Sequence, residues 1–158
     1  SSLQPFSTHF NPAVSFVFCV KGEISVKTCS AFVALQIAGA IAGVMLANYM
    51  FGIEPVNFSE KTRSGTNLFV SEIFATFGLL LVILLSTKEK VAAGVAAYIG
   101  GAYWFTSSTS FANPAGTIGR AFSDTFAGIS PDDVLAFCCA QVAGSFLAFL
   151  LYSKIFSK

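Results

Sequence analysis

The sequence predicts an all-α membrane protein, a bundle of four full transmembrane helices and two re-entrant half-helices. Three observations carry that expectation. Of the 158 residues, 54% are hydrophobic and 11% charged, and the mean hydropathy is +0.73, far more apolar than an ordinary globular chain. Polar breaks divide the chain into apolar stretches near the roughly 20 residues that a helix needs to cross a bilayer. Finally, the tripeptide Asn-Pro-Ala occurs at 11–13 and again at 113–115, each time inside an apolar stretch too short to span.

Each triplet reads as a helix start: Asn caps a helix, Pro is tolerated in its first turn, and Ala propagates it. Half-helices are therefore expected at about 11–19 and 113–122. Their free backbone N–H groups cannot be left against lipid, whereas two positive helix ends facing a water-filled pore are satisfied. The full crossings are expected at 31–51, 68–86, 91–105 and 134–152, the third being short unless its helix extends further. Small residues along Ala38-Gly39-Ala40-Ile41-Ala42-Gly43 and Ala143-Gly144-Ser145 predict close helix approach.

Several function classes fall away. With a net charge of +1 and no basic run, nothing points to nucleic acid. Cys19, Cys29, Cys138 and Cys139 lack metal-type spacing and the chain has one histidine, so buried free thiols are expected, with no metal site and no cofactor. The run Thr106-Ser107-Ser108-Thr109-Ser110 has no His or acid beside it and reads as a polar pore-lining loop; no enzyme is expected. Asp132 and Asp133, after Ser130-Pro131, read as the start of the last helix, where acids favour the dipole.

A second echo follows the triplets: Gln36-Ile37-Ala38-Gly39 after the first and Gln141-Val142-Ala143-Gly144 after the second. It divides the single domain 1–158 into related halves, 1–66 (the end of a first repeat and a connecting loop) and 67–158 (a second repeat). Duplicated halves with interrupted helices in corresponding positions are a recurrent transport architecture. On these residues the chain resembles the aquaporin family of major intrinsic proteins. His9-Phe10-Asn11-Pro12-Ala13-Val14-Ser15 is similar to the family's first motif, and Ser110-Phe111-Ala112-Asn113-Pro114-Ala115 to its second.

The resemblance implies an aquaporin-like bundle of inverted repeats, a passive channel in which Asn11 and Asn113 donate to solute at the midplane, and a homotetramer for the complete protein. It also implies six crossings, so the first two are expected to be missing from an N-terminally truncated chain. Glu72, in Glu72-Ile73-Phe74-Ala75-Thr76, resembles a buried carboxylate that braces the second re-entrant loop. The residues alone leave snorkelling to the headgroups as the alternative. His9 resembles a histidine that holds the first loop by hydrogen bonding.

Most of the family places an arginine directly after the second triplet; here that position is Gly116. The family pattern puts two further filter positions on Ser110 and Gly101, the fourth falling on a missing crossing. Three small residues imply a wide outer constriction. Gly116-Thr117-Ile118-Gly119-Arg120 is similar to an arginine-lacking bacterial branch associated with arsenic resistance. The expected solutes are small and neutral: water, glycerol-like polyols and arsenous acid. A standard glycerol facilitator and a non-conducting assembly remnant are the alternatives. Arg120, one turn beyond Gly116 on the same helix face, is a candidate outer filter residue, or else a headgroup-level charge paired with Asp124.

Under the family's path, Lys21, Lys27, Lys88, Lys90, Lys154 and Lys158 fall on one side with Glu23 and Glu89. Lys61, Arg63 and Arg120 fall on the other with Glu54, Glu60, Asp124, Asp132 and Asp133. The lysine-rich side, including the C-terminus, is expected to be cytoplasmic in a multi-pass protein of the bacterial inner membrane.

Overall fold

Capping decides where the helices begin. The computed structural model describes residues 9–156; Lys158, counted above on the lysine-rich side, lies outside them. Six helices occupy the described residues: α1 Pro12–Val20, α2 Val26–Met50, α3 Thr66–Leu85, α4 Val91–Phe105, α5 Pro114–Arg120 and α6 Pro131–Phe156. Asn11 and Asn113 have extended backbones, and each side chain caps the helix that starts with the following proline. Ser25 Oγ accepts from the Thr28 N–H at 3.1 Å, which starts α2 before its apolar core. Asp132 and Asp133 occupy the first turn of α6, where their charge suits the helix dipole.

Three helices, α2, α3 and α6, are long and apolar enough to cross a membrane. The fourth expected crossing differs. Helix α4 has 15 residues, about 22 Å at 1.5 Å per residue, against a hydrocarbon core of about 30 Å. It is not extended, because Thr106 turns into an extended backbone (ψ 135°) directly after Phe105. The half-helices are shorter still, with 9 residues in α1 and 7 in α5.

Helix α3 packs most extensively on α6, and α5 on α2, while α1 touches α2, α5 and α6. The α3–α6 seam depends on Gly144: a Cβ there would collide with the Ile73 carbonyl oxygen. Between α5 and α2, a Cβ on Gly119 would lie 3.0 Å from the Ala40 carbonyl oxygen. The small-residue run of α2 is therefore used only in part. Gly39 and Gly43 meet nothing within 4 Å, because the face they belong to has no helix against it among the described residues.

Ala13, Val14 and Val17 of α1 bury against Ala75, Leu79 and Leu80 of α3 and Ala148 of α6, which anchors the first half-helix inside the bundle. A second cluster, Phe111, Ala121, Ile129 and Phe137, lies under the loops that follow α4 and α5. All four cysteines are free. Contrary to expectation none is buried: Cys139 is exposed and the others are half-buried, since α1, α2 and α6 each present part of their circumference outward.

Candidate permeation site

The two triplets meet. Asn11 Oδ1 accepts from the Ala13 N–H at 2.9 Å, and Asn113 Oδ1 from the Ala115 and Gly116 N–H groups at 3.0 and 3.2 Å. These bonds satisfy helix-end donors that have no partner within their own helices. The amide nitrogens point across. Asn11 Nδ2 donates to the Ala112 carbonyl and Asn113 Nδ2 to the Phe10 carbonyl.

The loop before the second triplet carries three non-glycine residues with left-handed backbones: Thr109 (φ 60°), Ser110 (φ 47°) and Ala112 (φ 47°). Such a run persists only when its surroundings hold it. Glu72, fully buried in α3, does so: Oε1 accepts from the Phe111 N–H and Oε2 from the Ala112 N–H, both at 2.9 Å. Gln141 Nε2 donates to the same Oε2 at 2.7 Å and approaches Thr117 Oγ1 at 2.8 Å. The carboxylate is thus paid for by three donors, and it faces protein and not the headgroups.

The first half repeats this bracing with different atoms. Gln36 Nε2 donates to the His9 carbonyl at 2.9 Å and to Ser15 Oγ at 3.0 Å. Ser15 and Thr117 stand four residues after Asn11 and Asn113, so each glutamine grips a hydroxyl one turn into its half-helix. The Gln-x-Ala-Gly echo announced these glutamines; the hydroxyl partners were not singled out. The His9 ring lies 3.4 Å from Ser15 Oγ through Nδ1 and packs against Phe18 and Phe32.

A cavity of about 520 Å³ opens beside the triplets, with His9, Phe10, Gln36, Asn113, Ala115 and Gly116 among its lining residues. A Cβ on Gly116 would meet only Asn113 atoms, the nearest at 3.6 Å, so this position leaves the space in front of it open. Gly101 is exposed on α4, and Ser110 is 2% exposed with its hydroxyl unpartnered among the described residues. Neither lines the cavity. Arg120 lies over the Phe111 ring, its Cζ 4.2 Å from the centroid. It does not pair with Asp124, whose carboxylate accepts from the Glu60 N–H at 3.0 Å.

The connecting loop 51–65 covers the outer ends of these elements. Asn57 and Ser59 donate backbone bonds to the Phe122 and Ala121 carbonyls, and Asn48 Nδ2 reaches the Phe122 carbonyl at 2.8 Å. Arg63 of this loop is buried, an involvement that its position in a charged loop did not signal.

Residues 7–106 match the family described as major intrinsic protein. Over 153 residues the chain is 46% identical to aquaglyceroporin AqpS of Rhizobium meliloti (strain 1021), covering 94% of this chain and 66% of that protein. It is 33% identical over 91 residues to human aquaporin-5, covering 52% and 33%. To mouse aquaporin-6 it is 29% identical over 154 residues, covering 92% and 47%. The chain spans less than two thirds of the length of each of these curated relatives.

Proposed function

The chain belongs to the major intrinsic protein family, and on that premise we propose that it forms part of a passive transmembrane channel for small neutral solutes. The reciprocal bonding of Asn11 and Asn113 is the observation that carries this reading. Each amide nitrogen has two N–H bonds, one held by the opposite loop and one left to donate to water or a hydroxyl. The two helix starts disfavour cations at the same point. No covalent step or coupling ion is involved. Gly116, which lines the cavity, borders a wide outer constriction that admits glycerol-like polyols and arsenous acid as well as water. The lysine-rich side, with the C-terminus, faces the cytoplasm, and the complete protein assembles as a homotetramer in the bacterial inner membrane.

A second reading, a non-conducting assembly remnant, is favoured by one observation: of the 25 residues of α2, only Asn48 is buried. Solute uptake into proteoliposomes separates the two. The chain, alone and joined to whatever residues precede Ser1 in its gene, is tested with glycerol and arsenous acid beside a Gly116→Arg variant. The channel reading expects uptake above empty vesicles, and Gly116→Arg to reduce passage of the larger solutes more than that of water. No uptake by any folded version supports the remnant.

A further inference from the structure

The outer loops hold an arrangement that the triplets do not require. Two guanidinium groups share the Phe111 ring, with Arg63 Cζ 4.7 Å and Arg120 Cζ 4.2 Å from its centroid. Arg63, 8% exposed, is fixed on every side: Nε donates to the Gly128 carbonyl at 2.7 Å and Nη2 to the Phe126 carbonyl at 3.0 Å. Nη1 reaches the Ser108 carbonyl at 3.3 Å and Thr109 Oγ1 at 3.4 Å.

All of these acceptors are neutral, and the guanidinium makes no ion pair among the described residues. The nearby carboxylates are engaged by backbone donors: Asp133 takes the Arg63 N–H at 2.6 Å, Asp124 the Glu60 N–H, and Glu72 those of Phe111 and Ala112. The ion pair found among the described residues, Lys21–Glu23, lies at the C-terminal end of α1. Burial first, and Arg120 second, lower the Arg63 pKa from its ordinary value, with Glu72 opposing them. Arginine nevertheless remains charged throughout the physiological range. The two like charges repel, and the Phe111 ring, over which both lie, offsets part of that cost.

Asn113, Gly116 and Arg120 fall on one face of α5, and the first two line the cavity. The Arg120 guanidinium therefore stands beyond Gly116 on the outward path, with no hydrogen-bond or ion-pair partner among the described residues. We infer that Arg63 is a specificity-determining residue of the outer mouth, supplying together with Arg120 the positive charge that Gly116 does not. The pair repels cations and protons while the glycine leaves room for bulkier neutral solutes. This inference rests on the channel reading above.

The test uses the chain, carrying whatever residues precede Ser1 in its gene, in proteoliposomes, as parent, Arg63→Gln, Arg120→Gln, the double variant and Arg63→Lys. Water permeability and the leak of protons and potassium ions are measured on the same vesicles. The ratio of cation leak to water permeability is expected to rise in each Gln variant and roughly tenfold or more in the double variant. Arg63→Lys, which keeps the charge but not the planar fork, is expected to stay near the parent. An unchanged ratio in the folded double variant, with water permeability intact, overturns the inference alone. If Arg63→Gln does not fold, a parental ratio in Arg120→Gln overturns it equally. Absence of water flux from the folded parent sinks the channel reading and this inference with it.

Discussion

Asn11 and Asn113 each bond the residue before the other: Asn11 Nδ2 donates to the Ala112 carbonyl at 2.7 Å, and Asn113 Nδ2 to the Phe10 carbonyl at 3.1 Å. Each side chain thus caps its own half-helix with oxygen and ties down the other loop with nitrogen. An Asn113→Asp substitution separates the tasks, since a carboxylate still caps but has no N–H. The variant is expected to keep α5, to lose about 1 kcal/mol of stability, and to lower water flux severalfold. Thermal unfolding in detergent and stopped-flow light scattering measure the two effects. Parental flux in a folded variant removes the Asn113 amide from the pathway.

Glu72 is predicted to be a structural keystone. Glu72→Leu leaves the Phe111 and Ala112 N–H groups and Gln141 Nε2 without their acceptor, at about 1–3 kcal/mol for each unmet buried donor. The left-handed loop then loses the two bonds that fix its Phe111 and Ala112 N–H groups, and the yield of monodisperse protein in detergent is expected to fall sharply. Glu72→Gln keeps one acceptor oxygen and should lose less. A Leu variant as heat-stable as the parent would contradict the bracing role.

Two glycines give opposite expectations. Gly144→Ala drives a methyl group into the Ile73 carbonyl and should force α3 and α6 apart, destabilising by about 1–3 kcal/mol, as overpacking does. Gly116→Ala meets only Asn113 atoms at 3.6 Å and should leave stability within about 0.5 kcal/mol. Thermal shift measured on both variants under one condition checks the contrast, and equal shifts would refute it.

Much of this fold was legible because membrane helices announce themselves by length and apolarity, and the Asn-Pro pairs mark helix starts by capping chemistry. Helix α4 was placed at its observed bounds, yet it does not reach crossing length, because Thr106 ends it before the hydroxyl run begins. The cysteines, expected to be buried, are half-buried or exposed, since apolar sequence does not reveal which helix faces lack a neighbour. At the site, the triplets and Glu72 stood out as residue types that an apolar chain must justify. Ser15 and Thr117 did not, because a hydroxyl inside a helix is unremarkable until a glutamine from another helix reaches it. Arg63 was hidden for a different reason: only the path of the 51–65 loop brings it onto Phe111.

The central claim is passive conduction of small neutral solutes past Asn11 and Asn113. Stopped-flow water and glycerol permeability of proteoliposomes tests it most directly, with the chain carrying whatever residues precede Ser1 and its Asn11→Ala/Asn113→Ala counterpart compared at equal protein density. The account predicts permeability above empty vesicles for both solutes, with low activation energy, falling towards the vesicle background in the double variant. Permeability equal to empty vesicles in a verified folded parent would contradict it.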